Sequence, residues 1–240
     1  MRIVDIHCHI IPGVDDGAKN KQEAIKMLML QKEQGVVGIV ATPHYRRGMF
    51  TPDINEVNKR YRWMRMKAQE LEIQLFLGRE CYADERLPEF LNDHAGYTIG
   101  NSDYVLVEFS SVHNYNMIRK YMLDLIGCGY QPIMAHIDRV PRIANDLKAV
   151  EELLAMGVEI QVNAESILGK SGRKTKKWMM ELMKRDMIHY IASDSHNVLE
   201  RVPNLGKCYK YVKRRWGREY ASRIFYKNPM KILKKCEETS

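Results

Sequence analysis

The sequence predicts an α/β protein in which parallel strands close, or nearly close, into a barrel. Short apolar segments alternate with amphipathic, helix-like segments along the 240-residue chain. Strands that are apolar throughout are buried on both faces, and their alternation with helices is typical of parallel sheets. Histidines and carboxylates follow nearly every apolar segment. A barrel brings those strand ends together at one mouth, whereas an open sheet spreads them along an edge.

Seven segments are predicted strands because they are short, rich in β-branched or other apolar residues, and followed by polar residues or glycine. In chain order they span residues 2–6, 36–41, 74–77, 104–107, 131–135, 158–162 and 188–192. The first and the last of them are followed at once by histidines or carboxylates, which marks these strand ends as candidate functional positions.

The segments between the strands are predicted helices, because their apolar residues recur every three or four positions. They span residues 22–34, 51–71, 88–92, 114–128, 146–156 and 175–185, then residues 205–216 and onward, with a short last helix beginning at residues 228–229. Gly35 and Gly157 end two of them. Thr51 and Pro52 predict the start of the second helix, as N-cap and first helical residue.

The composition favours one globular domain over residues 1–240. Hydrophobic residues make up 45% of the chain, and no linker-like run or repeat divides it. No segment has the length of a membrane span and the start does not read as a signal peptide, so we expect no membrane insertion. Five scattered cysteines without a Cys-x-x-Cys pattern suit a reducing compartment, and we predict a cytoplasmic protein.

The net charge of +8 is concentrated in a basic, helical C-terminal segment of about residues 201–240. This segment holds 12 of the 38 Lys and Arg residues but 3 of the 30 Asp and Glu residues. Such a surplus attracts a phosphorylated protein, nucleic acid or an acidic membrane surface, or is simply the solvated face of helices. The sequence leaves these alternatives open.

The first strand leads into a candidate chelating pair, His7 and His9. Alternate side chains of a strand share a face, so both imidazoles point the same way and Cys8 points to the other side. A turn rich in Pro and Gly follows, and it ends in two carboxylates, Asp15 and Asp16, that can fold back over the site.

Nine residues at or just beyond predicted strand ends are of metal-ligand type, more than one tetrahedral ion can use. They are His7, His9, Asp16, His44, Glu80, Glu108, His136, Asp194 and His196. Two or three ions bridged by carboxylates fit this set, with Glu80 as the best bridge. Neighbouring ions of this kind activate water and neutralise phosphoryl charge.

Four arginines follow these candidate ligands and are candidate phosphate-binding residues, since guanidinium groups bind phosphate in bidentate fashion. They are Arg139, Arg201, Arg46 and Arg47. We expect the strongest contribution from Arg139 and Arg201, whose loops already carry candidate ligands.

The chain resembles the PHP (polymerase and histidinol phosphatase) superfamily, and most closely the manganese-dependent protein-tyrosine phosphatases of bacterial capsule and exopolysaccharide operons, the CpsB/YwqE type. The motifs that carry the resemblance span the chain in family order: DIHCHIIPGVDDG at 5–17, ATPH at 41–44 with RRGMF at 46–50, GRE at 78–80, VEFS at 107–110, AHIDR at 135–139 and ASDSHN at 192–197. Two departures are Asp138, where Glu is usual, and Val202, where Pro is common.

The resemblance implies a distorted TIM-like (β/α)7 barrel of the PHP type and a trinuclear site that prefers Mn. It implies hydrolysis of phosphotyrosine on the tail of a cognate bacterial tyrosine kinase, and thereby regulation of capsular or exopolysaccharide synthesis. It also implies that Arg139 and Arg201 hold the phosphate.

Other functions remain open at this stage. One is a PHP-type phosphoesterase acting on a small metabolite such as histidinol phosphate, or on nucleic acid, although we expect no nucleic-acid partner. Another is a catalytically silent adaptor that binds the kinase. Residues 208–214 also match the Cys-x5-Arg spacing of cysteine-dependent phosphatases, but they contain no glycine to build a phosphate loop and read as helix.

Overall fold

The computed structural model describes residues 1–94 and 96–238, and over that range the chain forms a parallel α/β barrel. Its strands are β1 (Ile3–Cys8), β2 (Val36–Ala41), β3 (His44–Tyr45), β4 (Gln74–Leu77), β5 (Glu80–Tyr82), β6 (Tyr104–Glu108), β7 (Gln131–Met134), β8 (Glu159–Asn163) and β9 (Tyr190–Ala192). All of their pairings are parallel. The predicted fold class is therefore confirmed.

The strands lie in two sheets that join into a ring. One sheet has the order β1-β2-β4 and the other the order β3-β5-β6-β7-β8-β9. Only two residues separate β2 from β3 and two separate β4 from β5, so each pair continues one strand line from the first sheet into the second. Backbone hydrogen bonds from His9 N–H to Ser195 O and from Asp194 N–H to His7 O join β1 to the end of β9. The described strands thus form seven strand lines, as predicted, and the breaks in two of them distort the barrel.

An apolar cluster fills the barrel interior below the mouth. It contains Val4 and Ile6 of β1, with apolar residues of the other strands, and it also contains Ile232 and Leu233 near the C-terminus. The last helix therefore closes the barrel at the end opposite the carboxyl ends of the strands. Water is excluded from that end, and the polar mouth is the accessible one.

Nine α-helices lie in the described residues, and a second, larger apolar cluster includes residues from most of them and from the strands. They are α1 (Lys21–Glu33), α2 (Ile54–Glu70), α3 (Leu87–Asp93), α4 (Tyr115–Gly127), α5 (Leu147–Ala155), α6 (Ala164–Leu168), α7 (Arg173–Lys184), α8 (Leu205–Ser222) and α9 (Asn228–Glu238). None of the described helices is long and apolar enough to cross a membrane.

Three predicted elements differ from the structure. Helix α2 begins at Ile54, not at Pro52, because the Asp53 side chain accepts a hydrogen bond from Asn55 N–H and caps the helix in place of Thr51. The five-residue helix α6 was not predicted. Helix α8 continues past Trp216 to Ser222, as predicted, but is interrupted at Gly217, which has a φ of 86°. Residues 239–240 of the basic C-terminal segment lie outside the described residues.

Candidate metal and phosphate site

The mouth of the barrel brings together all nine predicted metal ligands. They fall into four overlapping groups, within each of which the ligand atoms lie within 4.8 Å of one another. The groups are His9, Asp16, His44 and His196; His7, His9 and Asp194; His7, Glu80 and His136; and His44, Glu80 and Glu108. Six of the nine residues are buried, His44 and Glu108 are partly buried, and Asp16 is exposed at the rim.

The His-x-His pair has the predicted orientation. His7 Nε2 lies 3.1 Å from His9 Nε2, and the Sγ atom of Cys8 lies on the other side of the strand, 3.2 Å from Ser195 Oγ. Two imidazole nitrogens that face each other at this distance either share a proton or converge on a cation.

A local irregularity of β1 makes this orientation compatible with the apolar interior. The register of β1 against β2 shifts between Asp5 and Cys8. Strict alternation after Val4 and Ile6, which both face the interior, would turn His7 away from the barrel. The register shift therefore lets the interior side change from Ile6 to His7 within one strand.

The loop after β1 folds back on the pair and orients His9. Asp15 Oδ2 lies 2.8 Å from His9 Nδ1 and also accepts a hydrogen bond from His44 N–H at 2.9 Å. Gly17 passes so close to His9 that an added Cβ would lie 2.3 Å from the His9 carbonyl oxygen. Only glycine fits there, and the Nδ1 contact leaves His9 Nε2 directed at the cluster.

Glu80 lies at the centre of the cluster, as predicted for a bridging carboxylate. Its two oxygens face four imidazoles: Oε2 lies 3.2 Å from His7 Nε2, 3.2 Å from His9 Nε2 and 3.0 Å from His44 Nδ1, and Oε1 lies 2.6 Å from His136 Nε2. Burial alone would raise the pKa of Glu80, but the charges of His7 and His44 hold it well below its usual range.

The same electrostatics raise the pKa of some of the imidazoles, those of His9 and His136 among them. Burial lowers the pKa of His9, but the Asp15 and Glu80 carboxylates outweigh burial and raise that pKa to about 10. Burial likewise opposes protonation of His136, and Glu80 raises its pKa to about 9. A metal ion that binds these nitrogens must therefore displace protons.

Two of the candidate ligands have positive φ angles, a backbone conformation that residues other than glycine rarely adopt. His136 has a φ of 29° and Asp194 a φ of 50°. Such conformations cost about 1–3 kcal/mol each and persist at functional sites that the surrounding structure over-determines. They turn these two residues into the mouth directly after strands β7 and β9.

Arg139 and Arg201 converge on the edge of the cluster. Arg139 Nη1 lies 2.8 Å and Arg201 Nη2 lies 2.6 Å from the same oxygen, Asp194 Oδ2. The other oxygen, Asp194 Oδ1, faces His7 Nε2 at 3.5 Å. Arg139 also donates to Glu165 Oε1 at 2.9 Å. Both guanidinium groups remain partly exposed, so they line the opening between the cluster and solvent.

Arg46 and Arg47 have other partners. The Arg46 guanidinium lies 4.0 Å from the centre of the Tyr82 ring, and Arg47 pairs with Asp84, with 3.0 Å between Nε and Oδ2. The structure does not bring either of them into contact with the nine candidate ligands. Their predicted role in substrate binding stays a prediction.

Strand β8 supplies two amide side chains that the sequence analysis missed, because neither is of metal-ligand type. Gln161 Oε1 lies 3.2 Å from His7 Nδ1 and accepts a hydrogen bond from His136 N–H at 2.7 Å. Gln161 Nε2 donates to Asn163, and Asn163 Nδ2 donates to Asp194 Oδ2 at 2.8 Å. These amides position candidate ligands from three other strands. Their only signal in sequence is the polarity of Gln161 within the predicted strand and of Asn163 directly after it.

The donor set fits divalent metal ions. The buried ligand-type atoms without a hydrogen-bond partner include Glu80 Oε2, Asp194 Oδ1 and His196 Nε2. Each unpartnered buried polar group costs about 1–3 kcal/mol. Although imidazole nitrogens approach Glu80 Oε2, none has the geometry of a hydrogen bond. Cations would satisfy all three atoms, and mixed imidazole and carboxylate ligands suit Mn, Fe or Zn.

Two other histidines, His113 and His189, and the cysteine of the Cys-x5-Arg pattern, Cys208, lie outside the cluster. His113 bonds to the Ala83 carbonyl oxygen, and His189 Nδ1 accepts from Ile160 N–H. Cys208 is buried in helix α8, and burial raises the pKa of its thiol far above the usual range. A thiolate nucleophile at Cys208 is therefore not available.

Comparison with known proteins agrees with this geometry. The family model for capsular polysaccharide synthesis proteins CpsB/CapC matches residues 3–234. Tyrosine-protein phosphatase CpsB of Streptococcus pneumoniae is 32% identical over 238 residues, covering 96% of this chain and 98% of that protein. Tyrosine-protein phosphatase YwqE of Bacillus subtilis is 27% identical over 224 residues, covering 90% of this chain and 86% of that protein.

Solved structures extend the likeness to the fold. The crystal structures of YwqE and CpsB, metal-dependent tyrosine phosphatases, include a chain that superposes with a TM-score of 0.88 at 26% identity and covers 97% of this chain and 95% of its own length. A histidinol phosphate phosphatase of Lactococcus lactis shares the fold, with a TM-score of 0.62 at 17% identity over 90% of this chain and 94% of its own.

The parallel barrel and the imidazole and carboxylate cluster at its mouth are those of a metal-dependent barrel enzyme. Within that class, the chain belongs to the CpsB/CapC family.

Asp15 provides a test of how the cluster is positioned. We expect Asp15→Asn to weaken metal binding about 10- to 100-fold, because the amide lacks the charge that makes His9 a stronger ligand. A competition titration with a metal-binding dye measures the affinity. Asp53→Asn, at the N-cap of α2, is the matched control and should bind metal as the parent does. Equal affinities for parent and Asp15→Asn would contradict the positioning role.

Proposed function

We propose that this chain is a metal-dependent protein-tyrosine phosphatase, organised as one phosphatase domain over residues 1–240. The observation that carries the proposal is the juxtaposition at one open mouth of a nine-residue cluster of ligand-type side chains and two convergent guanidinium groups, those of Arg139 and Arg201. The likeness to CpsB and YwqE, which are tyrosine phosphatases, supports the choice of substrate.

The metal ligands in this proposal are the nine residues of the cluster, holding two or three ions. When bound, such ions lower the pKa of water and neutralise negative charge on phosphoryl oxygens. Glu80 would be shared between ions, because its two oxygens face different histidines. We assign manganese, since carboxylate-rich sites favour harder ions and the motifs resemble manganese-dependent enzymes.

Arg139 and Arg201 hold the non-bridging oxygens of the phosphoryl group. In the structure both pair with Asp194 Oδ2, which fixes their side chains at the entrance, and Arg201 Nε is buried without a hydrogen-bond partner. That N–H remains free to donate to phosphate. Charge-assisted, bidentate bonds of this kind orient the group for in-line displacement.

A phenol ester suits the site because the leaving phenolate, with a pKa of about 10, is far more stable than a serine alkoxide. It needs less help from a general acid, and no acid need be assigned to the site. The physiological substrate in this proposal is the phosphorylated tail of a bacterial tyrosine kinase, and its dephosphorylation regulates capsular or exopolysaccharide synthesis, in agreement with the matched family.

We propose the cytoplasm as the compartment. Within the described residues, no disulfide joins any of the five cysteines, Cys8, Cys81, Cys128, Cys208 and Cys236. Free thiols are typical of reducing compartments.

Substrate and metal can be tested together. We expect metal-stripped protein to release no phosphate, and manganese to restore release from a phosphotyrosyl peptide but not from a phosphoseryl peptide or histidinol phosphate. A colorimetric phosphate assay with Mn, Mg or Zn added in turn measures this. Metal-dependent activity mainly on histidinol phosphate would support the proposed metal site but contradict the proposed phosphotyrosine substrate. Absence of activity with all metals would favour a silent adaptor.

The arginines can be tested separately. Arg139→Ala and Arg201→Ala should each lower kcat/KM for an aryl phosphate about 100-fold or more, because one donor to the reacting phosphoryl group is lost. Steady-state kinetics with the metal content of each variant determined will show this. Arg142→Ala, an exposed arginine nearby in sequence, is the control and should behave as the parent. If Arg139→Ala and Arg201→Ala with full metal content kept parental rates, their phosphate-binding role would be wrong.

A further inference from the structure

Three loops at the mouth each expose a large apolar side chain. Met49 follows β3 and is 63% exposed, Val112 follows β6 and is 73% exposed, and Leu199 follows β9 and is 86% exposed. Among the large apolar side chains of the described residues, these three are the most exposed. Single exposed apolar residues are common on any surface. Here the three most exposed ones all lie on loops at the carboxyl ends of strands, the end that bears the cluster.

The loop of Leu199 is fixed and joins two residues of the site. Asn197 Oδ1 accepts hydrogen bonds from the N–H groups of Leu199, Glu200 and Arg201, and His196 N–H donates to Arg201 O. Leu199 therefore lies at the tip of a closed turn between a candidate metal ligand and a candidate phosphate-binding arginine. Leu199 is therefore exposed on a turn that hydrogen bonds hold closed.

The loops of Met49 and Val112 are also closed turns. Arg46 and Phe50 exchange both backbone hydrogen bonds around Met49, and the Phe50 ring stacks on the candidate ligand His44 with 5.0 Å between ring centres. Val112 lies in a turn closed by the bond from His113 N–H to Ser110 O. Both apolar side chains are thus held on turns that start within a few residues of the cluster.

We infer that Met49, Val112 and Leu199 form an apolar rim that binds the residues flanking phosphotyrosine in an extended peptide. The inference rests on the proposed function. With the phosphoryl group held at Arg139 and Arg201, the peptide backbone must cross the loops that surround the mouth. Apolar side chains next to the phosphotyrosine then meet the rim and lose contact with water, which favours binding. The rim selects peptides whose phosphotyrosine has apolar neighbours.

The test compares three substrates: p-nitrophenyl phosphate, which has no flanking residues, and phosphotyrosyl peptides with either Leu and Val or Gly and Ser on both sides. We expect the parent to prefer the apolar-flanked peptide about tenfold in kcat/KM over the Gly/Ser peptide, as expected for partial burial of a few apolar groups. The variant Met49→Ser/Val112→Ser/Leu199→Ser should lose this preference. Its kcat/KM ratio of apolar-flanked peptide to p-nitrophenyl phosphate should fall about tenfold. Met66→Ser, on helix α2 and 58% exposed, is the matched control and should leave both ratios unchanged.

The outcomes separate the rim from the proposed function. Hydrolysis of p-nitrophenyl phosphate without hydrolysis of either peptide would overturn the protein-tyrosine phosphatase proposal and the rim with it. Hydrolysis of both peptides with a preference that the triple variant retains would overturn the rim alone. An equal loss of kcat/KM on all three substrates would mean that the three substitutions disturb the site itself. This result would also overturn the rim.

Discussion

The structure of the mouth depends on the mutual attraction of buried imidazoles and carboxylates around Glu80. Four imidazole nitrogens lie within 2.6–3.2 Å of its two oxygens, in a region from which water is largely excluded. Charges are strongly coupled in such surroundings. In the metal-free protein, protons on His9 and His136 compensate the carboxylates. Divalent ions would replace those protons, so the same geometry serves both states.

The rest of the barrel keeps these groups in place. The last helix closes the opposite end, and the interior below the cluster is apolar. The amide chain from Gln161 through Asn163 to Asp194 fixes ligands of β1, β7 and β9 relative to β8. Asp15, in the loop after β1, contacts the His9 side chain and the His44 N–H group and so fixes these two ligands relative to each other. Ligands from many separate strands can converge only if such contacts fix every strand end.

The candidate ligands could be predicted from sequence because parallel strands end at one mouth, and each apolar segment has a recognisable end. The residues that orient these ligands could not be predicted from the sequence. Gln161 and Asn163 are polar residues of β8, but their hydrogen-bond partners come from strands distant in sequence. The start of α2 was placed wrongly because Thr51 and Asp53 are both good caps, and it is Asp53 that caps the helix. The register shift in β1 leaves no mark in the residue pattern.

The central claim is that the nine side chains at the mouth hold two or three metal ions between them. An anomalous difference map at the manganese absorption edge, from crystals of the manganese-loaded protein, tests it most directly. The account predicts two or three peaks inside the cluster, with one of them or more beside both Glu80 oxygens. A single peak, or manganese bound only elsewhere on the protein, would contradict the account.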